Sequence, residues 1–103
     1  MKNKFLLLLL IVIPLFGSAQ LYINEYSCSN ISGPSDAYGE KEDWIEIYNA
    51  GATSVNLTGY YLSDKATNLT KWQIPSGTIN ANGYIMAFCS KRNLVNANQL
   101  HPN

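Results

Sequence analysis

The sequence is short of nearly everything that specialised chemistry needs. One histidine and two cysteines in 103 residues are too few for the dense Cys/His spacing of most zinc modules. Basic and acidic residues number seven each. No stripe of lysine and arginine is present to neutralise a phosphate backbone, which excludes a nucleic-acid binder of the basic type. No stretch repeats apolar residues at the helical interval over about eleven positions, so helix is nearly absent from the expected structure. The length bounds the chain to one domain that can just bury a core of its own.

What is present begins with a leader. Lys2 and Lys4 precede an apolar run from Phe5 to Phe16 broken only by Pro14, and Gly17-Ser18-Ala19 supplies small residues at the cleavage positions. Residues 1–19 therefore form an expected signal peptide cleaved after Ala19, giving a secreted or cell-surface protein. As a helix the apolar run rises about 18 Å, short of a bilayer core of about 30 Å, so no membrane span is expected after cleavage. From Gln20 onward five basic residues face seven acidic ones, a net charge of minus two. Export also places Cys28 and Cys89 in an oxidising compartment. They are either a disulfide, worth about 4 kcal/mol on chain-entropy reasoning, or two buried free thiols.

Beyond the leader the pattern has period two. Leu21, Ile23 and Glu25 alternate with Tyr22, Asn24 and Tyr26 as a first strand, followed by a long polar loop from Ser27 to Glu42. In Asp43–Asn49, Ile45 and Ile47 take one face and Trp44, Glu46 and Tyr48 the other, which predicts a strand covered on both sides. Further short runs centre on Val55 and Leu57, on Tyr60–Leu62, and on Trp72 and Ile74. Asn80-Ala81-Asn82-Gly83 predicts a tight hairpin joining Thr78–Ile79 to Tyr84–Phe88. About seven short runs punctuated by turn residues predict an antiparallel sandwich or barrel. The domain is placed at 20–92. Residues 93–103 are expected to be an irregular tail that ends at His101-Pro102-Asn103 without a closing strand. An unprotected sheet edge recruits other strands, so the chain is expected to be truncated from something longer.

Candidate chemistry is sparse. Asp36, Glu40, Glu42 and Asp43 offer hard oxygen ligands of the kind calcium takes, but their spacing departs from the calcium-loop pattern, and a solvated charged loop is the simpler reading. Glu25 and Glu46 lie in strands, where glutamate is disfavoured. Paired carboxylates can hydrolyse glycosides, yet nothing in the sequence places these two together, and structural use is the reading adopted. His101, at the end of the chain beside a proline, is a poor catalytic candidate because a general base must be held in place. Tyr48, Tyr60, Tyr61 and Tyr84 could form a binding face for a protein or glycan, whereas Trp44 and Trp72 are assigned to the core. Sequons at Asn30, Asn56 and Asn68 receive no role. No cofactor, metal or catalytic residue is assigned.

The order Ile23-Asn24-Glu25, Asp43–Asn49, Val55–Asp64, Lys71-Trp72-Gln73-Ile74-Pro75 and Gly83-Tyr84 resembles the lamin-tail domain in its bacterial secreted form. The resemblance implies an immunoglobulin-like antiparallel β-sandwich and a non-catalytic module for binding or anchoring at the cell surface, whose Asn, Glu and Trp positions define the fold. It also implies an alternative: similar domains accompany secreted enzymes, such as kinases like the spore-coat protein H, nucleases and phosphoesterases, and such a catalytic part would lie beyond Asn103.

Overall fold

The structure, a computed structural model, describes residues 20–103; the expected leader lies outside them. Among the described residues nine strands follow one another: β1 (Leu21–Ser27), β2 (Trp44–Asn49), β3 (Val55–Asn56), β4 (Tyr61–Leu62), β5 (Trp72–Gln73), β6 (Thr78–Ile79), β7 (Tyr84–Phe88), β8 (Leu94–Asn96) and β9 (Gln99–His101). No helix occurs among the described residues, as the period-two pattern implies.

One layer is a five-stranded sheet in the order β1-β2-β7-β9-β8, and the other is built from the ribbons β3-β6 and β4-β5. All pairs are antiparallel except β7 with β9, which meet in parallel at Ala87 and Leu100. The core lies between the layers. The large sheet contributes Ile47, Ile85, Ala87 and Leu100, and the ribbons contribute Leu57, Trp72, Ile74 and Ile79. Full burial of each aliphatic side chain is worth about 1.5–3 kcal/mol, so this seam supplies the main driving force for the sandwich.

Two-residue strands cannot hold a layer by ladder bonds alone. Main-chain bonds outside the ladders complete it, from Leu57 N to Gly77 O (2.8 Å), Gly59 N to Ile74 O (2.9 Å) and Ile74 N to Tyr60 O (2.8 Å). Gly77 has φ +137°, and a Cβ there would meet Leu100 and Ile85 at 3.4 and 3.5 Å, so the backbone comes down onto the core where only glycine adopts that φ without strain. Asn49, fully buried at the end of β2, ties the layers together. Its Nδ2 donates to the carbonyls of Thr53 (2.8 Å), Ile79 (3.0 Å) and Asn80 (3.2 Å), and its Oδ1 accepts from Gly51 N (2.9 Å) and Gln20 Nε2 (3.1 Å). Every polar atom of the side chain is satisfied, as burial demands.

In its strands and turns the structure departs from the sequence expectations in three places. Asn80–Gly83 does turn, with Gly83 N donating to Asn80 O at 2.8 Å and Asn82 at φ +59°. It is a corner between layers, because β6 pairs with β3 while β7 lies in the other sheet. Only one of its central residues takes positive φ, where a type I′ hairpin needs two. That hairpin occurs instead in the tail expected to be irregular: Ala97 and Asn98 have φ +50° and +55° and join β8 to β9, with Asn96 opposite Gln99. The tail thus supplies two strands and the core residue Leu100. Finally, β1 does not keep strict alternation. A bulge between Ile23 and Glu25 shifts the phase, so Glu25 joins the face of Tyr22.

Candidate binding face

The register of β1, β2 and β7 lays the outward residues of the large sheet out as three rows. Tyr22, Tyr48 and Tyr84 form the first, Glu25, Glu46 and Met86 the second, and Ser27, Trp44 and Phe88 the third. Directly opposed residues on adjacent strands share a face, so each row runs across the sheet.

The third row is covered by the Ser27–Glu42 loop, whose polar groups are satisfied from within. Asn30, buried at 8 % exposure, donates through Nδ2 to Pro34 O (2.8 Å) and Glu42 O (3.0 Å) and accepts from Gly33 N (2.9 Å). Asp43 Oδ1 accepts from Ser29 N (2.7 Å) and Asn30 N (3.3 Å). Asp36 Oδ1 accepts from Tyr38 N and Glu40 N, both at 2.9 Å. Asp36 is therefore not the solvated loop carboxylate the sequence suggested: it is buried, at 5 % exposure, and it organises the turn. Among the described residues no group of three or more His, Cys, Asp or Glu side chains is placed to hold a metal ion.

A stack closes this end. Arg92 lies over the Tyr38 ring at 3.7 Å from its centroid, Tyr38 meets His101 edge-on at 5.3 Å, and His101 stacks on Phe88 at 6.2 Å. His101 is fully buried and held firmly, which its place beside the end of the chain had argued against. Ser90 Oγ is 2.9 Å from its Nδ1, and Asp36 Oδ2 is 3.8 Å from the same nitrogen. A nucleophilic relay needs hydroxyl and carboxylate on opposite ring nitrogens. Here both face Nδ1, Nε2 is buried with no partner among the described residues, and substrate cannot reach the group. Burial pushes the His101 pKa below its ordinary value, against the raising effect of Asp36, so the ring is neutral at pH 7. Burial pushes the Asp36 pKa up, but the Glu40 and Tyr38 amides, then His101 and Arg92, outweigh it and leave the carboxyl below its ordinary value. The cluster clasps the loop to the tail.

Trp44, assigned to the core from sequence, lies on this outer face at the loop, while Trp72 is in the core at 4 % exposure and donates through Nε1 to Asn93 Oδ1 (2.7 Å). Outward and inward faces alternate along β2, and Trp44 falls with Glu46 and Tyr48.

Among the described residues the first two rows carry no such cover. Tyr22 and Tyr84 are 46 % and 53 % exposed, and Tyr48 packs on Tyr84 with ring centroids 4.7 Å apart. Glu25 stands opposite Glu46, which accepts from Asn24 Nδ2 at 2.9 Å. The four tyrosines named from sequence divide. Tyr48 and Tyr84 lie together here, whereas Tyr61 sits in β4 of the opposite layer, where Leu62 faces the core and Tyr61 outward, with the exposed Tyr60 just before it. Tyr22 was missed, although its phase relative to Tyr48 was the available signal; the pairing of Glu25 with Glu46 depends on the bulge and had none.

On the inner side, β1 is not fully covered by the ribbons. Ile23 is 66 % exposed, and a groove of about 330 Å³ runs between Ile23, Ile45 and Ala87 on one side and Leu62 and Trp72 on the other. Its rim holds the Asp64–Lys71 ion pair at 2.7 Å, which lowers the Asp64 pKa. Cys28 and Cys89 are both free and exposed; they are neither bridged nor the buried thiols of the alternative. Cys28 follows Ser27, which opposes Trp44, and Cys89 follows Phe88, which opposes Trp44 from the other side. Those two strands are two ladder steps apart, about 9.6 Å. Partial burial, then Asp43, raises the Cys89 pKa above its ordinary value, which favours the thiol over the thiolate.

A family model described as the lamin tail domain matches residues 16–101, reaching through both strands of the tail. No curated protein and no solved structure gives a match.

Proposed function

The chain belongs to the lamin tail domain family, and on that premise we propose that it is an exported module that binds or anchors at the cell surface as part of a larger extracellular protein. The family is one of non-catalytic, immunoglobulin-like modules. One observation carries the binding reading: two of three rows on the outer face of the large sheet stay open, with tyrosines on a rigid frame, while the third is sealed by its own loop. Aromatic residues exposed on a rigid sheet provide contact area at low entropic cost. Export is supported by the basic, apolar and small-residue order of residues 1–19, and association with further strands by the edges at β1 and β8, which no other strand among the described residues pairs.

Two measurements test the reading. Fractionation of the source cells is expected to recover the chain outside the cytoplasm. Purified full chain is expected to sediment with the washed cell envelope in a saturable manner; a chain that stays in the supernatant at every envelope concentration would overturn the binding role.

A further inference from the structure

The open rows combine two chemistries that one kind of partner satisfies together. Tyr22, Tyr48 and Tyr84 stand on three adjacent strands, about 4.8 Å apart per step, so an extended segment crossing the strands meets a ring at each. Directly beside them Glu25 opposes Glu46. Like charges facing each other across a ladder are unfavourable, and Asn24 donates to one oxygen of Glu46 only. Among the described residues no cation sits in either row. Lys41 donates to Gly33 O and Ser35 Oγ, Arg92 is over Tyr38, and Lys71 is paired with Asp64. The face therefore offers π-surfaces and uncompensated negative charge, with Met86 as an adaptable apolar neighbour.

We propose that this face docks a cationic peptide segment, whose lysine or arginine side chains lie over the tyrosine rings and pair with Glu25 and Glu46. The assignment rests on the binding role above and names its partner. A cation over an aromatic face is attracted by the ring quadrupole, and a bridging cation converts the Glu25–Glu46 opposition into attraction. An anionic polymer is repelled by the same two carboxylates. A neutral glycan would use the rings alone and leave the charges unanswered.

The test is an amide chemical-shift titration of the full chain with hexalysine, with hexaglutamate and with a neutral hexasaccharide of N-acetylglucosamine. Hexalysine is expected to shift the amides of the first two rows, and the other two probes to leave them in place. Tyr84→Leu is expected to weaken hexalysine binding about threefold, while Tyr84→Phe, which keeps the ring, binds as the wild type. The Glu25→Gln/Glu46→Gln double variant is expected to bind about tenfold more weakly at low salt, with the difference closing as salt rises. An unchanged affinity in that double variant, shifts confined to the loop or the inner groove, or binding of the neutral hexasaccharide in place of hexalysine would each overturn the cationic partner. If hexalysine fails while the wild-type chain still sediments with the envelope, the partner assignment falls and the binding role stands. If sedimentation fails as well, both fall.

Discussion

The two ends of one sheet face make different use of the same strands. At the end formed by Trp44 and Phe88, a loop and the tail fold over the outward side chains, and even an aspartate and a histidine are buried there. Four residues further along the same strands, the half-buried Tyr48 and the exposed Tyr84 are left uncovered by the loop. Shared backbone geometry means that strand propensity cannot explain the contrast. The difference lies in the cover: the loop brings its own hydrogen-bond partners through Asn30, Asp36 and Asp43, and nothing equivalent among the described residues reaches the tyrosines. A face with a built cover is structural, and one with rigid aromatics and no cover is where a partner has most to gain.

The contrast is sharpest in stability. Phe88→Ala, at the sealed end, is expected to cost about 3–5 kcal/mol, read by denaturant unfolding; a value near zero would mean that the loop is no real cover. Asp36→Ala frees the amides of Tyr38 and Glu40 and is expected to cost about 2 kcal/mol, with faster hydrogen exchange across Asn30–Asp43 but not in β2 or β7. Acid acts on the same end with a definite sign. His101 has a folded pKa below its ordinary 6.5, so the unfolded chain takes up protons first. Stability is fully present above that value and declines as pH falls below it. Asp36, lowered from 3.8, adds a second loss as pH falls below that figure. Melting midpoints against pH are expected to show both steps, and His101→Phe to remove the upper one. The smallest effect belongs to the open end, where Tyr84→Ser gives up its packing on Tyr48 and is expected to cost no more than about 1 kcal/mol.

Much of this was legible in the sequence. Seven strands, the two-faced nature of Trp44–Asn49 and the family resemblance follow from residue alternation and block order, because side-chain direction in a strand is fixed by period two. The rest was hidden where the period breaks or the partner is distant. The bulge at Asn24 reverses the face of Glu25 without changing composition. The hairpin at Ala97-Asn98 lacks a glycine, and alanine at positive φ is unusual enough that no turn rule selects it. His101 is buried by Phe88 and Tyr38, contacts between distant segments that local pattern cannot supply. Asn49 was placed in its strand, but that its amide joins the two layers depends on carbonyls some thirty residues away.

The division of the outer face into a sealed structural end and an open binding end is tested most directly by envelope sedimentation of a Tyr22→Ser/Tyr84→Ser chain beside the wild type. Loss of sedimentation with a melting midpoint within about 10 °C of wild type is the result foreseen. Undiminished sedimentation by that double variant would contradict it.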